Sequence, residues 1–228
     1  MRWWNGLMLT LVVFVLLSCN QQHKNDVKTP VNKALKSSRK LPTSITIWRY
    51  GNFPVDKARK LKRHLDSYYP KVVLKDEALL LPESQYNKER NRYYGAGLFG
   101  YLGKHRNGDA IIGLTDYVIY HPNKISPTFG VMGISPVGTY KCVVSSKIPR
   151  NGKVHSDENF NKLALHELGH AFGLPHCPNQ HCYMVDAEHK MKFPQTTGFC
   201  ESCKSKLNDR SGVDYDGMSA EDMVVVDI

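Results

Sequence analysis

The chain lacks an apolar segment long enough to cross a membrane as a permanent helix. Its one strongly apolar run extends from Leu7 to Leu17, whereas a spanning helix needs roughly 18 apolar residues. No internal repeat is present either, which excludes a solenoid or propeller assembled from repeated units. What remains is one globular domain of ordinary size behind a short apolar N-terminal segment.

Acidic side chains are scarce relative to basic ones. The 228 residues include 31 Lys and Arg against 21 Asp and Glu, which gives a formal net charge of +10. Such a charge favours nucleic acid, a membrane surface or acidic polypeptides as partners. The basic residues are dispersed, however, and the sequence contains no recognisable nucleic-acid-binding module. We therefore predict no nucleic-acid partner and attribute the charge to membrane proximity.

The apolar N-terminal run has the pattern of a secretory signal. Arg2 precedes it and the small residue Ser18 follows it, an order that is typical of export. Leu16 to Cys19, LLSC, further resembles a bacterial lipobox, in which the cysteine carries the lipid and becomes the new N-terminus. The alternative is that Cys19 is a buried thiol in an uncleaved anchor. The pattern predicts an exported lipoprotein, held at the cell envelope, outer membrane or cell surface through lipid on Cys19.

Composition divides the chain into three parts. Residues 1–18 form the predicted lipoprotein signal peptide. Residues 19–43 are polar and lysine-rich with little apolar periodicity, which indicates a flexible tether. The basic side chains of this tether either lie against anionic headgroups or simply keep it soluble. Residues 44–228 form the predicted globular domain.

Hydrophobic periodicity within that domain predicts alternating strands and helices, followed by irregular structure late in the chain. Alternating apolar and polar residues predict a strand, and apolar residues three or four apart predict a helix. A cap at Ser156 or Asp157 would begin the last of these helices. The predicted strands are 45–51, 71–76, 109–120 with a turn at Thr115-Asp116, 130–135 and 141–147. The predicted helices follow Pro54, extend over 86–102, and run from the cap to about Phe172.

The densest chemical signal is H-E-x-x-H-x-x-G-x-x-H, which begins at His166. His166 and His170 are four residues apart, so on a helix both rings project from one face and can chelate one ion. Glu167 lies beside them, placed to activate a water held by the metal rather than to ligate the metal. Gly173 permits a reversal of the backbone, after which His176 can return as the third ligand. Three protein ligands leave a fourth zinc position open, as hydrolysis requires.

The residues that follow His176 indicate a resemblance to one family. After His176 come C-x4-C-x-M and a later C-x-x-C. The string resembles the archaemetzincin family of metzincin-type zinc peptidases, and the segments IIGLTDYVIY and FGVMGISPVG are similar to that family's central strands. The segment between Met184 and Cys200 is slightly shorter than in the family pattern, which affects a loop rather than the ligands.

The resemblance implies a fold and a role for one further residue. The implied fold is a metzincin-like zincin fold of the mixed α/β (α+β) class, with a twisted mixed sheet and backing helices. An active-site helix and a small irregular C-terminal lobe, stapled by a four-cysteine zinc site, complete it. Residues 44–228 would then be a metzincin-like catalytic domain. Met184 would form an apolar floor beneath the catalytic zinc.

The cysteines of this string suit a second metal site. Cys177, Cys182, Cys200 and Cys203 have the spacing of a closed tetrahedral set, and a closed set is structural rather than catalytic. Two disulfides are the alternative, since an exported protein meets an oxidising compartment. We predict two zinc ions per chain, one held by three histidines and one by four cysteines. Cys142 has no predicted partner and is expected to be a buried, inert thiol.

Together these features predict a zinc metallopeptidase that hydrolyses peptide bonds, with Glu167 as the general base. Its partner would be a peptide or protein substrate, extended along a sheet edge such as that of residues 130–135. Two alternatives stay open: a non-catalytic, zinc-stabilised surface-binding module, and a zinc hydrolase of non-peptide amides or esters. The intact Glu167 argues against the first, because binding alone needs no general base.

His181 and His189 are not expected to ligate, because both ligand sets are complete without them. A monomer is expected by default.

Overall fold

The computed structural model describes residues 44–106, 110–186, 192–208 and 225–227. The predicted signal, the tether with Cys19, and His189 therefore lie outside the described residues. Within the described part of the chain, no helix is both long enough and apolar enough to cross a membrane. The boundaries proposed for the signal, the tether and the globular domain stay predictions.

A mixed sheet forms the centre of the domain, and nine strands of the described residues belong to it. These strands are β1 (Ile45–Tyr50), β2 (Val72–Leu79), β3 (Tyr86–Asn87), β4 (Arg92–Tyr94), β5 (Ala110–Thr115), β6 (Ile119–Tyr120), β7 (Gly130–Ile134), β8 (Lys141–Ser145) and β9 (Val225–Asp227). Eight of them follow in the order β2-β1-β5-β8-β7-β6-β4-β3, and β9 pairs with β7 outside this order. β1 is parallel to β2 and β5, and β5 is parallel to β8, whereas β7 is antiparallel to β8.

Helices cover both faces of this sheet. The helices of the described residues are α1 (Val55–Leu65), α2 (Gly95–Gly103), α3 (Asp157–Ala171) and α4 (Glu201–Asn208). Neighbouring residues of a strand point to opposite faces. Ile112 of β5 accordingly packs in one apolar cluster with Leu61 of α1 and Leu163 of α3, whereas Ile111 packs in another with Leu98 of α2. This is the mixed sheet with backing helices that the sequence predicts.

The prediction of one helix over residues 86–102 is wrong in its first half. β3 and β4 form a short antiparallel pair there, in which Tyr86 lies opposite Tyr93, and α2 begins only at Gly95. Asn91 adopts a left-handed φ of +50°, which an α-helix cannot contain. The rings of Tyr86 and Tyr93 also pack with their centroids 4.9 Å apart, which stabilises the pair across the two strands.

The predicted strand 109–120 is divided in the structure into β5 and β6. The backbone N–H of Tyr117 donates a 3.2 Å hydrogen bond to Oγ1 of Thr115, and such local bonds compete with a continuous strand. The strands predicted at 45–51, 71–76, 130–135 and 141–147 and the helix after Pro54 are confirmed. The division confirms the turn predicted at Thr115-Asp116, so the error in these elements falls on the first half of 86–102.

Contacts at both ends position α3. Oγ of Ser156 accepts a 3.2 Å hydrogen bond from a backbone N–H in the first turn of α3, which confirms the predicted cap. At the other end, the carbonyl groups of His170 and Ala171 accept hydrogen bonds from the backbone N–H groups of Gly138 and Tyr140, at 2.8 and 2.9 Å. The loop between β7 and β8 therefore holds the last turn of α3 against the sheet.

Candidate metal centres

Three histidines meet at the C-terminal turn of α3. His166 and His170 are fully buried, and their Nε2 atoms are 3.0 Å apart. The chain reverses at Gly173, whose φ is +100°, and returns His176 so that the three ligand atoms all lie within 4.8 Å of one another. Nitrogen ligands about 2.0 Å from a tetrahedral zinc ion are about 3.3 Å apart. The structure therefore brings together the three histidines that the sequence predicts.

Hydrogen bonds on the far side of two of these rings fix the positions of their protons. Nδ1 of His166 lies 2.6 Å from the carbonyl oxygen of Tyr183, and Nδ1 of His170 lies 2.7 Å from that of Leu174. A carbonyl oxygen only accepts, so each Nδ1 carries the N–H and each neutral ring presents a lone pair at Nε2. Two lone pairs that face each other at 3.0 Å repel unless a cation lies against them. This donor set fits a zinc ion, whose histidine ligands usually donate their second N–H to a carbonyl or carboxylate.

Burial keeps these two rings neutral. It lowers the pKa of His166 to about 4 and the pKa of His170 well below its usual value, because desolvation disfavours the imidazolium form. At neutral pH neither ring is protonated at Nε2. Protons therefore do not compete with a metal ion for these two atoms.

His176 has a carboxylate neighbour that the sequence analysis missed. Oδ2 of Asp186 lies 3.5 Å from Nδ1 of His176, which leaves Nε2 as the ligand atom of that ring. The two residues meet because the backbone N–H of Cys177 donates a 2.7 Å hydrogen bond to the carbonyl of Met184, which brings the two segments side by side. A single acid ten positions after a histidine follows no helical or strand spacing, so no pattern in the sequence identifies Asp186.

Glu167 follows His166 in α3 and contacts β7. Its side chain is fully buried, and neither carboxylate oxygen has a hydrogen-bond partner among the described residues. Gly133 of β7 makes this position possible, because a Cβ at that residue would overlap Oε1 of Glu167. Burial raises the pKa of the Glu167 carboxyl well above its usual value. A buried carboxyl group without a partner costs stability, so its presence directly after His166 in α3 points to a chemical role.

The four predicted cysteines form a second cluster. Their Sγ atoms all lie within 4.8 Å of one another, with Cys177 and Cys200 at 3.7 Å and Cys182 and Cys203 also at 3.7 Å. The sulfur atoms of a disulfide are about 2.05 Å apart. Sulfur atoms about 2.3 Å from a tetrahedral zinc ion are about 3.8 Å apart. The observed separations match a metal site rather than two disulfides.

Backbone N–H groups point at these sulfur atoms. Sγ of Cys182 accepts hydrogen bonds from the N–H groups of Met184 and Cys200, both at 3.4 Å. A backbone hydrogen bond from Cys203 is the main cause that lowers the pKa of Cys200 to about 7. These hydrogen bonds favour thiolate, the form in which cysteine binds metal. Burial acts in the opposite direction and raises the pKa of Cys182 and Cys203, so these two thiolates need a cation beside them.

Comparison with models of known protein families identifies the family of this chain. The model of peptidase family M54 matches residues 55–209, a range that contains both the histidine cluster and the cysteine cluster. The chain belongs to peptidase family M54. The resemblance to archaemetzincins is thereby confirmed, and the chain is a zinc metallopeptidase.

Relatives of this M54 chain are archaemetzincins. That of Methanopyrus kandleri is 28% identical over 150 residues, which cover 65% of this chain and 84% of the relative. That of Aeropyrum pernix is 31% identical, with 58% of this chain and 69% of the relative covered. The crystal structure of the Methanopyrus kandleri protein has a TM-score of 0.61 at 25% identity, covering 77% of this chain and 97% of that one. The archaemetzincin structure from Archaeoglobus fulgidus, with a TM-score of 0.59 at 24% identity, covers 72% and 99% and shows the same fold.

Other residues of the M54 chain that were singled out in the sequence lie near these clusters. Met184 is fully buried, and its Sδ occupies the space that a side chain at Gly169 of α3 would need. Met184 thus packs against α3, and the apolar floor beneath the catalytic zinc stays a prediction. His181 is exposed and lies 3.0 Å from the carbonyl of Gln195, outside both clusters. Cys142 is a fully buried free thiol whose pKa is raised by burial, as an inert cysteine would be.

Proposed function

We propose that zinc held by His166, His170 and His176 serves peptide hydrolysis, with Glu167 as the general base. The observation that carries this proposal is the pair of Nε2 lone pairs that face each other at 3.0 Å. The buried carboxyl group beside them, which lacks a hydrogen-bond partner among the described residues, supports it. Membership of family M54 supports the reaction class.

Glu167 would move the proton in both halves of the reaction. When bound, zinc would supply a Lewis acid that acidifies a water molecule and polarises the substrate carbonyl. Glu167 would accept the proton of that water while the water oxygen forms the new bond to the carbonyl carbon. As the C–N bond breaks, Glu167 would return the proton to the leaving amine. Its position suits this sequence, because its carboxylate oxygens have no hydrogen-bond partner among the described residues and are available for both transfers.

The side of β7 that faces away from β6 and β8 offers the edge along which a peptide substrate would lie. Gly133 of β7 meets the carboxyl group of Glu167, so a peptide that pairs with β7 passes beside the general base. The N–H and C=O groups of an edge strand bind an extended peptide through its backbone, and pockets for alternate side chains give selectivity. We infer that the substrate binds as an added strand.

We also propose that the four cysteines hold a second, structural zinc ion, which gives two zinc ions per chain. Four protein ligands close the coordination sphere and leave no position for water. Between Cys177 and Cys203 the described residues contain only α4 and a short 3-10 turn, Phe193–Gln195, as regular helical structure. A metal ion at this site would therefore add folding free energy to a segment with little regular structure.

Digestion of a peptide library tests the proposed function. The zinc-loaded enzyme is expected to cleave library peptides, a chelator should abolish cleavage, and added zinc should restore it. Cleavage confined to simple amides or esters would indicate a hydrolase of non-peptide substrates. Binding of peptides without any cleavage would indicate a non-catalytic binding module. Either of these two results would contradict the proposal.

Asp186→Asn is expected to weaken zinc binding at the histidine site by about 10- to 100-fold. The carboxylate lies 3.5 Å from Nδ1 of His176, where it orients the ring and makes it a stronger ligand. Competition against a chromogenic chelator measures the affinity without reference to turnover. Asp66→Asn removes an exposed carboxylate that pairs with Lys62 on α1, and this control should bind zinc like the wild type. Equal affinities for both variants would show that Asp186 does not position His176.

We propose that Cys19 carries a lipid that anchors the exported enzyme to a membrane. The support is the sequence LLSC after an apolar run. Metabolic labelling with a lipid precursor should mark the wild type but not Cys19→Ser, because only the thiol of Cys19 would accept the lipid. Cys142→Ser changes a cysteine buried in the sheet and should be labelled like the wild type. Equal labelling of wild type and Cys19→Ser would contradict the anchor.

A further inference from the structure

The C-terminal strand of the chain pairs with β7. β9 runs antiparallel to β7, with Val131 opposite Asp227 and Ile134 opposite Val225. The register shifts between these two pairs, which indicates a bulge or a similar irregularity between them. The described C-terminal residues thus lie along the strand that carries Gly133.

β9 occupies the edge of β7 that β8 leaves open. Ile134 pairs with Val143 of β8 and also with Val225 of β9. A residue within a sheet has one neighbouring strand on each side. β8 and β9 therefore lie on opposite sides of β7 at this point. Val131 pairs with Ile119 of β6 and also with Asp227 of β9, so β6 lies on the same side of β7 as β8, and β9 takes the other, outer side.

This outer edge passes Gly133, which contacts Glu167 through the face of the sheet. Gly133 lies between Val131 and Ile134, the two residues of β7 that pair with β9. The carboxyl group of Glu167 fills the space where a side chain at Gly133 would lie. Neighbouring strands are about 4.8 Å apart. The backbone of β9 therefore runs one strand spacing from the part of β7 that touches Glu167, along the path proposed above for the substrate.

We propose that Val225–Asp227 is an intramolecular ligand of the edge that binds the peptide substrate, so that the C-terminus competes with substrate in the full-length chain. This inference rests on the proposed function, because it assigns the outer edge of β7 to substrate. The recognised chemistry is an extended backbone, whose N–H and C=O groups pair with β7 in the manner of an added strand. A second peptide cannot pair with the same groups of β7 at the same time.

The size of the segment makes the competition reversible. A segment linked to its own binding site has an effective concentration on the order of millimolar. It therefore outcompetes a peptide that is present at a much lower concentration. β9 has three residues, however, and a strand of that length makes few ladder hydrogen bonds. A substrate that forms a longer pair with β7 therefore displaces it.

Removal of the C-terminal segment tests the competition. A stop codon in place of Val224 deletes β9, and the zinc-loaded truncated enzyme is expected to have a KM for library peptides lower by about tenfold, with kcat unchanged. That ratio means that β9 is paired with β7 in about ten chains for every chain in which the edge is free. Val225→Pro/Val226→Pro removes the backbone donors of the segment at full length and should give the same change. Val225→Thr/Val226→Thr keeps those donors and the β-propensity, and it should behave like the wild type.

A binding measurement separates this inference from the proposed function. A fluorescent peptide with the sequence of residues 221–228 should bind the truncated enzyme at least about tenfold more tightly than the full-length enzyme, measured by anisotropy. A peptide with prolines at the positions of Val225 and Val226 should not bind. If the enzyme cleaves nothing, the proposed function fails, whereas this binding difference would still uphold the pairing.

Three outcomes would overturn the inference. The first is an unchanged KM and equal peptide binding in truncated and full-length enzyme. The second is loss of folded structure in both the truncated and the double-proline variants, seen by circular dichroism, which would make β9 a structural strand. The third is a KM that depends on enzyme concentration, which would indicate that the C-terminus pairs with a second copy of the chain.

Discussion

Glu167→Gln is expected to reduce peptidase activity by about 10²- to 10⁴-fold while the protein keeps its zinc and its fold. Glutamine has nearly the shape of glutamate, so it fits the space beside Gly133 that the side chain of Glu167 now fills. Its amide, however, cannot accept a proton from water or return one to the leaving amine. The loss should therefore fall on kcat, because the proton transfers occur in the transition state.

The control for this variant lies on the same helix. Glu158→Gln changes an exposed glutamate in the first turn of α3, where it pairs with Lys162 at 2.8 Å, and its activity should equal that of the wild type. Zinc content and circular dichroism of Glu167→Gln should also equal those of the wild type. Turnover retained by Glu167→Gln at equal zinc content would remove Glu167 from the role of general base.

Cys203→Ser is expected to release the second zinc ion and to lower the melting temperature by at least about 10 °C. Structural zinc sites supply roughly 10 kcal/mol or more of folding free energy in small zinc-binding peptides, whereas whole domains are stable by about 5–15 kcal/mol. Cys203 is buried, and its Sγ lies 3.7 Å from that of Cys182. Without this ligand the segment from Cys177 onward loses the metal that holds it together.

The same variant should also weaken the histidine site, because the two clusters share a stretch of backbone. His176 and Cys177 are adjacent, so His176 can hold its position only while Cys177 is held. We therefore expect Cys203→Ser to lose activity although Cys203 takes no part in the chemistry.

Cys142→Ala is the matched control for Cys203→Ser. Cys142 is a fully buried cysteine of β8 outside the cluster, and its loss should cost about 1 kcal/mol through the small cavity it leaves. Both zinc ions should remain in Cys142→Ala. A Cys203→Ser protein that melts like Cys142→Ala and still holds two zinc ions would contradict the structural role of the cysteine cluster.

The clustering of the proposed metal ligands could be predicted from the sequence because local spacing decides where their side chains point. His166 and His170 share a helix face at a spacing of four residues, and Gly173 turns the chain as its φ of +100° shows. The partners of the ligands could not be predicted in this way. The carbonyl groups of Tyr183 and Leu174, which accept from the two Nδ1 atoms, belong to the backbone, and any residue type supplies them.

The errors in the predicted fold also have local causes. Apolar and aromatic residues over 86–102 have helical spacing, yet Asn91 with its left-handed φ and the pairing of Tyr86 with Tyr93 make a hairpin of the first half. The pairing of β9 with β7 joins segments far apart in sequence, and only the tertiary structure brings them together. Periodicity therefore predicts single elements well and long-range partners poorly.

The most direct measurement is the mass of the native protein before and after its metal is removed. The central claim is that an open site of three histidines and a closed site of four cysteines meet at His176 and Cys177. The expected result is two zinc ions per native chain and four free thiols in the cysteine cluster after the metal is removed. One zinc ion per chain, together with the loss of four hydrogens to two disulfides among those cysteines, would contradict that claim.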